Sequence, residues 1–133
     1  MKIGIITDIH ENVEMLERAL DLAAVKRCDE MVCLGDITGF DRRFYKYDFT
    51  RSARRCIALI SSNCRWVAAG NHDLYPAGRL PSWSDGFEFP EGWFKLKPAV
   101  RKAMAEGKVW CYDGDADSDM GEEEIEYLRS LPE

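Results

Sequence analysis

Only two histidines occur in this 133-residue chain, and both stand beside carboxylates in short motifs, Asp8-Ile9-His10 and Gly70-Asn71-His72-Asp73. Gly35-Asp36 lies between them in sequence. Two carboxylates, an imidazole and an amide oxygen form a mixed nitrogen and oxygen donor set of the kind that holds Mn²⁺, Fe or Zn²⁺. A lone histidine is usually a structural or surface residue. Here the full complement sits among carboxylates and glycines, which is the pattern of a site. Glycine ahead of Asp36 and of Asn71 lets the backbone turn tightly, so that the next side chain can face inward.

Residues so far apart need a scaffold that brings them together. Segments 2–7 (KIGIIT), 30–34 (EMVCL) and 65–69 (RWVAA) are short and mostly apolar, as buried strands are, and each runs into one of the three motifs. Asn12 is placed to cap a helix reaching about Arg27, with Val13, Leu16, Leu20 and Ala23 or Ala24 on one face. A second helix is expected over about 48–61, where Ala53, Ile57 and Ile60 recur at helical spacing. Alternating strands and helices imply an α/β fold of three parallel strands with flanking helices. In such open sheets ligands bind beyond the carboxyl ends of the strands, where all three motifs fall.

After Asp73 the alternation stops. Segment 74–98 holds four of the five prolines and interleaves Trp83, Phe87, Phe89, Trp93 and Phe94. Loops this long serve as lids or interfaces, so these rings either line a substrate pocket or pack over the sheet. A short helix over 98–106, a strand over 109–112 and a last helix over 122–131, with Asp119 near its start, complete the expectation. The length fits one domain, 1–133, with no repeats.

Composition narrows the classes. Hydrophobic residues make up 46% and charged residues 32%, the balance of a soluble globular protein. No segment approaches the run of about 20 apolar residues that a membrane span needs. The first ten residues lack a cleavage site and are too short for a signal peptide, so the cytoplasm is the expected compartment. The five cysteines form no C-x-x-C pair and suit burial as small hydrophobes rather than disulfides or zinc. A net charge of −6 disfavours a protein that coats nucleic acid, leaving nucleic acid a place only as substrate.

Two charge runs stay open. Arg42, Arg43, Lys46, Arg51, Arg54 and Arg55 either guide a phosphorylated substrate or, for the last three, form the solvated face of a helix. Asp113, Asp115, Asp117, Asp119 and Glu124 match positions of a calcium loop, yet Ser118 stands where such a loop needs glycine. The other reading is acids placed for the dipole at a helix start.

The order D-x-H, G-D, G-N-H-D resembles the calcineurin-like metallophosphoesterase superfamily, and MKIGIITDIH and G-D-I-x-G resemble its small bacterial and archaeal phosphodiesterases. The resemblance implies two divalent metal ions. Asp8 and His10 match ligands of the first, Asp36 the bridging carboxylate, and Asn71 a ligand of the second. His72 matches the residue that contacts the phosphate and assists the leaving oxygen, and Asp73 either orients His72 or caps the turn. The implied activity is hydrolysis of a phosphomonoester or phosphodiester by a metal-bridging hydroxide.

Two departures stand out. Glu11 replaces the usual glycine and points either toward the metals or out to solvent. The family's later ligands, a lone histidine and a G-H-T-H, have no counterpart here. The chain therefore reads as the first half of a two-sheet αββα sandwich with a partly occupied metal site. The alternative is a non-catalytic metal- or partner-binding remnant of the same fold. A dinucleotide or P-loop module is disfavoured, because neither fingerprint is present. Strands apolar on both faces need cover on both, from a fold-back of 75–94 and the last helix or from a second copy in a homodimer.

Overall fold

The computed structural model describes residues 1–133. Three strands, β1 (Ile3–Ile6), β2 (Glu30–Cys33) and β3 (Trp66–Val67), form a parallel sheet in the order β1-β2-β3. Ile3 pairs with Glu30 and Ile6 with Cys33, while Val32 pairs with Trp66 and Cys33 with Val67. The connections are α1 (Val13–Val25) and α2 (Ala53–Asn63). Two successive right-handed crossovers that step the same way along a sheet leave both helices on one face. The α/β architecture expected from the sequence is the one found.

The third strand is shorter than its apolar run. Ala68 N–H still donates to Cys33 O, at 2.9 Å, but the next amide, of Ala69, donates to Pro132 O at 2.7 Å. The C-terminal segment thus lies along the edge of this run that faces away from β2. The remaining helices are α3 (Asn71–Leu74), α4 (Pro98–Ala105) and α5 (Glu122–Ser130), with one 3-10 turn at Trp93–Lys95.

Asn12 Oδ1 accepts from Met15 N–H and caps α1 as expected. α2 starts later than expected, capped by Ser52, whose Oγ accepts from Arg55 N–H. Asp48 is occupied elsewhere, accepting from Arg42 and Arg51. The main core gathers Leu16, Cys33, Ile57 and Ile60 from the sheet and both helices, and α5 adds Leu128. Each such side chain contributes about 1.5–3 kcal/mol of burial.

The opposite sheet face is uncovered. Ile3, Ile5, Leu34 and Trp66 are 45%, 65%, 53% and 62% exposed. The expected fold-back does not occur, for two reasons. Leu128 and Leu131 join the helix-side core. Trp93, with Phe87 and Phe89 packed against it, joins Ala105 and Cys111 in a separate cluster. The expected strand over 109–112 is absent; an isolated antiparallel bridge between Asp41 and Asp115 is the pairing that this region makes.

Several arginines of the basic run are paired. Arg43 pairs with Asp41 and Asp113, Arg54 with Glu124, and Arg55 with Glu17. Of the three arginines expected on a solvated helix face, Arg54 and Arg55 are there and Arg51 is not. It precedes the helix, with its side chain 13% exposed, and its Nη1 lies 2.5 Å from Oε2 of Glu11. Glu11 is itself buried and does not point out to solvent. Burial pushes its carboxyl up, and the hydrogen bond and charge of Arg51 offset part of that.

The acids disperse too. Asp119 accepts from Ser52 Oγ at the start of α2, and Asp113 sits near Arg43 and Lys102, so no calcium loop forms. Removing one partner of a buried ion pair strands the other charge, so Arg51→Ala is expected to cost about 3–5 kcal/mol. Urea unfolding, with the solvated-face variant Arg18→Ala as control, reads the difference. Equal midpoints would refute a structural role for the pair.

All five cysteines are free, and burial pushes the thiols of Cys33 and Cys56 up to about 12, which leaves them inert as nucleophiles. No helix is long and apolar enough to cross a membrane.

Candidate metal centre

The loop after β1 carries Asp8 and His10, and the loop after β2 carries Asp36. The two loops are zipped together, since Ile9 and His10 N–H both donate to Asp36 O, at 2.8 and 2.9 Å. Four residues here take left-handed backbone, Asp8 (φ 55°), His10 (47°), Glu11 (66°) and Asp36 (52°). Such conformations cost about 1–3 kcal/mol each and persist where surrounding bonds enforce them. The result is convergence. Asp8, His10 and Asp36 each offer one ligand atom, all within 4.8 Å of one another, a grouping that could hold a metal ion.

His10 is held in a defined tautomer. Its Nδ1–H donates to Gly39 O at 2.8 Å, leaving Nε2 as the free lone pair, 3.8 Å from Asp8 Oδ1. A carbonyl acceptor of this kind fixes the orientation of a ligand ring. Tyr45 stacks on the same imidazole, with ring centroids 4.9 Å apart, and Tyr47 Oη–H donates to His10 O at 3.0 Å.

The third motif abuts the second. Gly35 adopts φ +92°, the tight turn that the sequence suggested. Gly70 is extended, and its role is close approach: a Cβ there would fall 2.2 Å from Asp36 Oδ1. His72 N–H donates to Asp36 Oδ1 at 3.0 Å, which docks the start of α3 on that carboxylate. Asn71 Nδ2 donates to Tyr112 Oη at 3.1 Å, so its Oδ1 keeps its lone pairs for another partner.

Asp73 is fully buried and caps the turn. Its Oδ1 accepts from Ile37 and Thr38 N–H and its Oδ2 from Gly70 N–H, each at 3.0 Å. It thereby locks the loops after β2 and β3 together.

The group that holds the His72 ring is Asp115. His72 Nδ1–H donates to Asp115 Oδ2 at 3.0 Å, and the His72 ring lies edge-on to His10 at 5.0 Å. Burial alone would lower the His72 pKa, but the hydrogen bond and charge of Asp115, with Asp36 and Asp73 beyond, raise it. Asp115 arrives through the bridge to Asp41, and Ala116 N–H donates to Phe40 O at 2.7 Å.

Of the five site residues named from the sequence, Asp8, His10 and Asp36 converge and His72 lies beside His10 and Asp36, while Asn71 turns to Tyr112 and is exposed, as Asp8 also is. Asp115, Tyr45, Tyr47 and Tyr112 were missed. Their signal was slight: Asp115 is one acid in an acidic run, Tyr45 and Tyr47 follow shortly after a G-D motif, and Tyr112 carries no local signal.

The chain is similar to solved structures of longer proteins. One is a metallophosphoesterase from Sphaerobacter thermophilus, 27% identical with a TM-score of 0.53, covering 99% of this chain and 41% of that one. Another is a hypothetical protein from Pyrococcus horikoshii OT3, 21% identical with a TM-score of 0.54, covering 98% of this chain and 47% of that one, a likeness of fold alone. The chain spans less than half the length of either. No curated protein matches it significantly. The calcineurin-like phosphoesterase profile matches residues 1–132, which takes in the three strand-end motifs and the segment bearing Asp115. With the strand-end carboxylates and imidazoles converging in space as well as in sequence order, this chain belongs to the calcineurin-like phosphoesterase family.

Proposed function

We propose that the chain is a metal-dependent phosphoesterase acting on a phosphomonoester or phosphodiester at two divalent ions, of Mn, Fe or Zn. The observation that carries this is the trio Asp8, His10 and Asp36, with ligand atoms within 4.8 Å of one another. The donor chemistry fits. His10 presents Nε2, and the carboxylates supply hard oxygen donors. Asp8 and His10 would hold the first ion, Asp36 would serve both, and Asn71 would offer Oδ1 to the second. Such ions, when bound, neutralise phosphate charge and acidify the attacking water.

The chain's own residues supply position and a proton. Asp36 ties the metal trio to the start of α3, so the two ligand loops keep one spacing. His72, its Nδ1–H fixed on Asp115, turns Nε2 to the phosphate and assists the leaving oxygen as acid or as charge. Asp115 acts through His72, holding its tautomer.

The test is a metal-stripped chain assayed on p-nitrophenyl phosphate and its bis-ester. Hydrolysis is expected to be absent after chelation and to return with Mn²⁺. Metal binding by calorimetry without turnover of any ester would favour the non-catalytic remnant instead.

A further inference from the structure

Beside the metal centre the chain builds a cavity of about 260 Å³ that the ligand residues alone do not account for. Asn71 and Tyr112 form one wall, and Trp83, Phe94 and Trp110 are among the residues that line the rest. We infer that this cavity is a ring-binding subsite, and that the substrates are phosphate esters whose organic group carries a flat, unsaturated ring. The word substrate here rests on the hydrolysis proposed above.

Three features of the cavity point to a ring. First, its lining is apolar and aromatic yet open: Trp83, Trp110 and Phe94 are 76%, 41% and 38% exposed. Aromatic faces left in water gain most by stacking on another π-face, and an apolar cavity of about 150 Å³ already admits benzene.

Second, the wall is rigid. Tyr75 stacks on Tyr112 at 4.1 Å with planes 16° apart and meets Phe94 at 5.5 Å. The buried Arg101 donates from Nη1 to Tyr75 Oη at 2.5 Å, pinning that ring from behind. A preformed wall spares a ligand the cost of ordering it.

Third, the cavity is continuous with the reacting end. Tyr112 lies 5.2 Å and Trp110 5.7 Å from the His72 ring, and Tyr112 Oη–H donates to Asn71 O at 2.9 Å. A ring seated against Trp83 and Phe94 therefore leads its phosphate toward Asn71 and His72. Of the two readings of the long loop, packing over the sheet does not occur, and the loop lines the cavity instead: Trp83, Trp93 and Phe94 all face it, with Trp93 also packed on Ala105 and Cys111.

Nucleoside phosphates and simple aryl phosphates share this chemistry. Calorimetry on the metal-stripped chain compares adenosine monophosphate, phenyl phosphate and glycerol phosphate, with Trp83→Ala and Trp83→Phe alongside. Trp83 is exposed, so both variants retain the fold. The expected result is binding of both ring-bearing esters about tenfold tighter than glycerol phosphate, in line with one ring stack. Trp83→Ala erases that preference and Trp83→Phe restores it. A preference for one ring ester over the other supports the subsite and names its source. Equal binding of all three esters, or a ring preference that survives Trp83→Ala, overturns the inference. Ring preference in a chain that hydrolyses no ester defeats the hydrolysis reading and leaves the subsite standing, whereas hydrolysis indifferent to the ring defeats the subsite alone.

Discussion

Asp36→Ala is expected to strip the chain of metal more completely than Asp8→Ala does. Asp36 is the carboxylate shared by the proposed ion pair, and its Oδ1 also receives the His72 amide that docks α3. Partners one step removed from a metal are worth about 10–100-fold in affinity, so a ligand to both ions should exceed about 100-fold. Asp8 serves one ion and leaves the other its ligands. Metal analysis of the two purified variants after dialysis against Mn²⁺ decides the matter. Asp36→Asn is the control for folding, because its amide oxygen can still accept from His72 N–H while the charge is gone. If it melts like the parent but loses metal, the effect belongs to ligation. Equal metal losses for Asp8→Ala and Asp36→Ala would remove the case for a bridging role.

His72→Ala is expected to leave metal content nearly unchanged and to lower ester hydrolysis by about 10²-fold or more, the scale of a lost general acid. His72 is not one of the three residues whose ligand atoms converge, and its Nδ1 is already committed to Asp115. Asp115→Asn should fall between parent and His72→Ala, since an amide oxygen still accepts from Nδ1 but no longer supplies charge. The pair of variants separates the two parts of the His72–Asp115 contact. Combining them should cost no more than His72→Ala alone, as residues acting as one unit are not additive. Loss of bound metal in His72→Ala would show that His72 is a ligand and that its proposed role is wrong.

The legible part of this protein is the part governed by local rules. The runs at Ile3–Ile6 and Glu30–Cys33 declare strands because short, mostly apolar, β-branched segments are typical of parallel sheets. Asn12 declares a helix start because its side chain satisfies an amide three residues on. The strand-end motifs declare a site, because the carboxyl ends of parallel strands face one crevice whatever the loops do. Asp8, His10, Asp36, Asn71 and His72 were all named on that basis.

What the sequence hid depends on pairings between distant segments. Nothing local distinguishes Asp115 from the seven other acids of its run, and the bridge to Asp41 selects it for His72. Glu11 and Arg51 are 40 residues apart, and only packing turns two ordinary surface residue types into a buried ion pair. α2 begins at Ala53 because Ser52 caps it, while Asp48 ahead of it is engaged by Arg42 and Arg51. The long aromatic loop left two destinations open, since hydrophobicity rewards burial without saying against what. By itself the sequence determined the sheet, its direction and the strand-end trio Asp8, His10 and Asp36, because period, propensity and strand-end geometry are local. The tertiary structure decided which acid holds His72, which rings face the cavity and which sheet face stays bare, because those choices depend on contacts that close only when the whole chain is folded.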